Sequence, residues 1–146
     1  MPAATNKPVE IANRLRPVLL HLNRHLRREV HTSGVSPGQL SLLGLIEGNP
    51  GIGVAELAAR EGTAMPSVCS HIDRLEASGL VTRRQAERDR RRVDLEVTPE
   101  GERVLKAIRS KRTAWLSARL SRLADTDLAA VAAAIAPLEA LLAQAE

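Results

Sequence analysis

Apolar residues recur at helical spacing through most of the chain. Between residues 9 and 30, Ala12, Leu15, Leu19, Leu22 and Leu26 share one side of a cylinder, with Arg14, Arg16, Arg24, Arg27 and Arg28 elsewhere on it. The pattern predicts an amphipathic helix, with Pro17 inside it expected to kink the helix or delay its start. Ser36-Pro37-Gly38-Gln39 has the order of a reciprocal cap with proline in the first turn. A second helix is therefore expected over 37–47, with Leu40, Leu43 and Ile46 inward, ending at Gly48-Asn49-Pro50-Gly51. Val54 to Arg60 reads as a short helix that packs through Leu57 and Ala58. Glu61-Gly62-Thr63 reads as a tight turn, with Thr63 capping the next helix.

That next helix, over 64–78, separates two faces. Val68, Ile72 and Leu75 form an apolar stripe, while Ser67, Ser70, His71 and Arg74 form a polar one. Two short helices joined by a glycine-containing turn form a helix-turn-helix. Hydroxyls, an imidazole and a guanidinium are groups that reach base edges and phosphates in a major groove, although any amphipathic helix has a polar face. Ala77-Ser78-Gly79 ends the helix. Leu80 to Gln85 and the alternating Val93, Leu95 and Val97 then predict a hairpin. Its tip is a charged finger, with six arginines against two acids from Arg83 to Arg92. A basic hairpin directly after a helix-turn-helix is the plan of a winged helix, whose wing reaches an adjacent minor groove.

Thr98-Pro99 opens a long helix expected to run to Leu120, and Asp125-Thr126-Asp127 opens another, rich in Ala and Leu, up to Glu146. Leu128, Val131, Ile135, Leu138 and Leu142 form a stripe on this last helix that needs a partner, and Pro137 should kink it. The fold class is mainly α with a small β-hairpin wing, in a chain whose 146 residues suit a single domain.

Charge and composition sharpen the picture. The net charge is +4, and residues 63–92 carry seven basic and four acidic groups, the densest excess in the chain. Arginine dominates the cations and suits phosphate and base edges better than lysine does. With no Phe, no Tyr and one Trp, the chain lacks platforms for stacking single strands, which favours duplex DNA. One cysteine excludes an internal disulfide and a multi-cysteine zinc site. No apolar run is read as approaching the roughly 20 residues of a membrane span. The first eight residues lack the apolar core of a signal peptide, so a cytoplasmic protein is expected.

From about Leu15 to the last helix the chain resembles the MarR-type transcription regulators. The residues that carry the likeness are Ser67-Val68-Cys69-Ser70-His71-Ile72-Asp73-Arg74-Leu75-Glu76, Gly79-Leu80-Val81, Arg83, Asp89-Arg90-Arg91 and Val97-Thr98-Pro99-Glu100-Gly101. The resemblance implies a homodimeric winged helix-turn-helix repressor. Residues 37–98 would form the DNA-binding lobe, and 9–30 with 99–146 the dimerisation helices, on a pseudo-palindromic operator. It implies that Pro66, Ser67, Ser70, His71 and Arg74 face the major groove, aided by first-turn amides. It also implies that Asp89 orients the Arg91 guanidinium into the minor groove and that Arg88 and Arg90 meet phosphate. A small aromatic or amphipathic effector that releases DNA is a further implication, for which no residue set identifies a ligand. Gly53 stands where the family often has a Ser or Thr cap, a somewhat weaker choice.

Other chemistry finds less support. Cys69 lies about 150° from the polar stripe, beside the core face, a poor place for an oxidation sensor. His21 and His25 are four apart on one helix but lack a third ligand for a metal. Ser70, His71 and Asp73 sit almost consecutively on one helix and point apart, so no catalytic set and no cofactor is expected. Trp115 reads as an interface or pocket-wall residue. The alternative function is a winged-helix protein-interaction module that does not read DNA, in which Arg74 and Arg91 would be dispensable.

Overall fold

The computed structural model describes residues 6–30 and 33–144. They form two compact units that divide between Ser110 and Lys111. The first unit opens with α1, Lys7–Arg28, which begins slightly earlier than its apolar pattern and continues through Pro17. Pro8 lies in its first turn, where a missing N–H costs nothing. No residue of α1 is buried.

The reciprocal cap at Ser36 forms as the sequence predicts. The Gln39 amide donates to Ser36 Oγ at 3.2 Å and the Ser36 amide to Gln39 Oε1 at 3.4 Å, starting α2, Pro37–Gly48. Leu40, Leu42, Leu43 and Ile46 of α2 enter the core. Next come α3, Val54–Glu61, which buries Leu57 and Ala58, and α4, Met65–Ala77. Thr63 is not the cap of α4. The helix starts later than expected, so Ala64 holds the capping position without a side-chain bond, and the Thr63 hydroxyl turns back to the Glu61 carbonyl at 3.4 Å.

The end of α4 aims the wing. Gly79 takes a left-handed conformation (φ 74°), its amide bonds the Glu76 carbonyl, and the Leu80 amide bonds the Leu75 carbonyl, each at 2.9 Å. This paired closure turns the chain straight into a strand and suits glycine, which has no Cβ to clash. The short β1, Ile52–Gly53, joins β2, Val81–Gln85, and β3, Val93–Val97, in an antiparallel sheet of order β1-β3-β2. Ile52 pairs with Leu95, and Val81 with Val97. The hairpin expected from sequence is thus a three-stranded sheet. Two residues are too few to show a period, which is why β1 is invisible in the apolar pattern.

The helix α5, Pro99–Leu120, is anchored to the end of α4. Thr98 Oγ1 accepts the Gly101 amide at 3.1 Å and donates to the Gly79 carbonyl at 2.6 Å, capping the helix and tying it down in one group. Leu105 and Ile108 complete the core, and Arg109 ion-pairs with Glu47 of α2. In the second unit, the Arg119 guanidinium lies 3.6 Å from the Trp115 ring centroid. The final helix, α6, runs over Asp125–Ala143 with Pro137 inside it and no buried residue. The expected extension to Glu146 ends on residues outside those described.

One sequence expectation is corrected by α6. This helix has 19 residues, with a mean hydropathy of 1.6 over its most apolar 18, and is long and apolar enough to cross a membrane by length and composition.

Gly101 provides a test of the anchor. A Cβ there would fall on the Leu80 carbonyl and within 2.6 Å of Val97 Cγ1. Gly101→Ala should therefore destabilise the first unit by about 1–3 kcal/mol in urea unfolding, despite alanine's better helix propensity.

Candidate nucleic-acid interface

Burial of Val68, Ile72 and Leu75, none more than 1% exposed, fixes the rotation of α4 about its own axis. The opposite side then faces outward by geometry. Pro66, Ser67, Ser70 and Arg74 are all exposed. His71 stands apart from them because it is half-buried and its ring lies over Gly38 of α2, where an added Cβ would meet Nε2 at 3.0 Å. Its Nδ1 is buried without a hydrogen-bond partner. Cys69 is half-buried, between the two faces. The first turn of α4 offers fewer amides than expected. Pro66 has none, and those of Ser67 and Val68 both bond the Ala64 carbonyl, at 3.1 and 3.2 Å.

The wing tip is a tight loop built on Asp89. Its carbonyl accepts the Arg92 amide and its carboxylate the Arg91 amide, each at 3.0 Å. The resemblance implied a pair between the Asp89 carboxylate and the Arg91 guanidinium. In the structure the carboxylate instead holds the Arg91 main chain, because a carboxylate two residues before an amide closes a local turn without ordering a long side chain. Gln85 Nε2 reaches over to the Arg90 carbonyl at 2.7 Å and braces the same loop.

The seven arginines from 74 to 92 fall into two groups. Three are bound within the protein. Arg83 donates to Asp73 at 2.6 Å and to Glu76 at 3.2 Å, Arg84 pairs with Glu96 at 3.4 Å, and Arg92 pairs with Asp94 at 3.2 Å. The hydrogen bond to Asp73, with the nearby Glu76 charge, holds the Arg83 pKa above its ordinary value, so this guanidinium stays charged. Such exposed pairs stabilise the fold by only about 0–1 kcal/mol each. Among the described residues, the guanidinium groups of Arg74, Arg88, Arg90 and Arg91 have no ion pair or hydrogen bond. All four are exposed, as is Asp89. A concavity of about 560 Å³ separates the wing from the start of α3 and α4, lined by Gly53, Glu56, Met65, Asp89 and Arg91 among others.

The run of arginines does not itself distinguish the two groups. Strand alternation holds the signal for Arg83, which shares the inward face of β2 with buried Val81 and so points at α4, where Asp73 and Glu76 stand one turn apart. With Asp73 bound to Arg83, Ser70, His71 and Asp73 form no relay. Among the described residues no three His, Cys, Asp or Glu come together as a metal site would require.

Comparison with known proteins matches this geometry. A MarR family model matches residues 33–92. A transcriptional regulator protein from Pseudomonas aeruginosa PA01 superposes with a TM-score of 0.80 at 32% identity, over 96% of this chain and 98% of that one. The HTH-type transcriptional repressor MdtR of Bacillus subtilis is 27% identical over 128 residues, 88% of this chain and 83% of the relative. The fold is also that of Streptococcus pneumoniae FabT in complex with DNA, with a TM-score of 0.70 at 18% identity over 92% of this chain and 99% of that one.

Proposed function

Because this chain belongs to the MarR family of transcription regulators, we propose that it represses transcription from the cytoplasm as a homodimer bound to a pseudo-palindromic duplex operator. The observation that carries this reading is the set of four exposed, uncommitted arginines on one helix and one wing, in a chain whose neighbouring arginines are held by carboxylates. Long cations without protein partners are the groups that release counterions from DNA on binding.

In this reading Pro66, Ser67, Ser70 and Arg74 face the major groove, with His71 at the inner edge of that face. Arg91 enters the minor groove from a loop that Asp89 holds in shape, while Arg88 and Arg90 meet phosphate. The apolar residues left uncovered on α1 and α6 support the dimer. Leu19 and Leu20 of α1 and Val131, Ile135 and Leu142 of α6 are between 45% and 72% exposed. Apolar surface of that extent on two helices with no buried residue calls for a second copy. Release by a small aromatic or amphipathic effector completes the reading and rests on the family alone.

The function is tested with a duplex recovered from a random library of about 24 base pairs, room for two half-sites one helical turn apart. Arg91→Ala should weaken binding to all sequences and lower the salt slope by about 1.8, about 0.9 for each protomer of the dimer. Arg74→Ala should relax preference at particular base pairs, at a cost of about 1–3 kcal/mol at the base it contacts. Equal effects of the two changes on every sequence would contradict the assignment of roles, and no effect of either would leave a protein-interaction module. Sedimentation of the full chain tests the dimer. Val131→Glu with Ile135→Glu should shift it to monomer, since two charges buried at such a contact cost several kcal/mol.

A further inference from the structure

Arg83 lies in the most basic stretch of the chain, yet its guanidinium is engaged by two carboxylates of the helix that precedes it. The strand β2 leaves α4 through Gly79 and Leu80, a joint held by main-chain bonds, by the Thr98 hydroxyl on the Gly79 carbonyl and by burial of Leu80 and Val81, all at the root of the wing. Two residues beyond buried Val81, the same strand face presents Arg83, and its fork spans Asp73 and Glu76, ten and seven residues earlier. The joint at the root, the strand and the ion bridge farther out close a triangle between α4 and the wing. Beyond Gln85 the tip is braced by bonds within the hairpin.

We infer that Arg83 is a positioning residue for DNA binding, one that sets the angle between α4 and the wing so that Arg74 and Arg91 engage the same duplex together. The inference rests on the DNA reading above. It also accounts for two acids on a helix that faces a polyanion. Left alone, Asp73 and Glu76 would repel phosphate, and bound to Arg83 they are neutralised and put to geometric use. A guanidinium fork suits the task because it meets two carboxylates in one plane, which a lysine ammonium does not do.

The experiment titrates full-length protein with the library-selected duplex by fluorescence anisotropy at three salt concentrations. Arg83→Ala is compared with the double variant Asp73→Asn, Glu76→Gln, and Arg91→Ala serves as the reference for loss of a direct DNA contact of the wing. If Arg83 positions the wing, Arg83→Ala weakens binding about tenfold or more, as for coupled contacts, and leaves the salt slope at its wild-type value. The double variant then weakens binding similarly, although it makes the protein more positive. That sign is decisive, because simple electrostatics predicts tighter binding when two acids are removed beside DNA. Arg83→Lys should fall between wild type and Arg83→Ala.

The inference alone is overturned if wild type binds and Arg91→Ala weakens it while the double variant binds as tightly as wild type or more so. A loss of about 1.8 in the salt slope on Arg83→Ala, about 0.9 per protomer, would make Arg83 a phosphate contact and overturn it as well. If wild type selects no duplex, the DNA reading fails and the inference fails with it. Should Arg83→Ala lose its fold by circular dichroism, the double variant decides.

Discussion

The structure depends on burying one stripe of α4. Val68, Ile72 and Leu75 sit in the core formed with α2, α3 and the sheet, and each contributes about 1.5–3 kcal/mol by leaving water. Turning the helix by one position would expose at least one of them and push a polar side chain inward. No hydrogen bond or ion pair on the outer face offsets that cost, since exposed pairs are worth about 0–1 kcal/mol. The outward direction of Ser67, Ser70 and Arg74 is therefore a consequence of core packing. The same constraint sets where α4 ends, so the Gly79 closure, the start of β2 and the Thr98 anchor of α5 inherit their positions from it.

A second division, between committed and uncommitted arginines, shapes the surface. Arg83, Arg84 and Arg92 pair with acids on the helix and strands of the wing unit, so their charge is matched by neighbouring carboxylates at the surface. Among the described residues, Arg74, Arg88, Arg90 and Arg91 have no carboxylate partner. A formal charge count treats all seven alike and so overstates the cation available to DNA. The salt dependence of binding should scale with the uncommitted group.

Much of this was visible in the chain itself. Helical periodicity located α2 and α4 because burial of their apolar faces writes its period into the sequence, as it did the apolar stripes of α1 and α6, which the single chain leaves uncovered. Ser36 and Gln39, Gly79, and Thr98 marked boundaries because capping and left-handed turns demand few residue types. What stayed hidden was nonlocal or one residue fine. Strand β1 is two residues long and exists only through pairing with β3. Thr63 is displaced by one position from the cap it was expected to form. Asp89 bonds the Arg91 amide where a guanidinium pair was expected, His71 turns toward Gly38, and the first-turn amides of α4 fold back on Ala64, each decided by local geometry that composition does not record. The partition of the arginines needed the packing of β2 on α4.

The apolar faces of α1 and α6 are left uncovered in the single chain, and these are the surfaces the proposed dimer would use. The most direct test of the account is titration of the full-length chain against its selected duplex and a shuffled control of equal length, at three salt concentrations. The account predicts a preference of about a thousandfold or more for the selected duplex, with affinity falling steeply as salt rises. Weak, equal binding to both duplexes would contradict it and leave the outward face of α4 without a reading role.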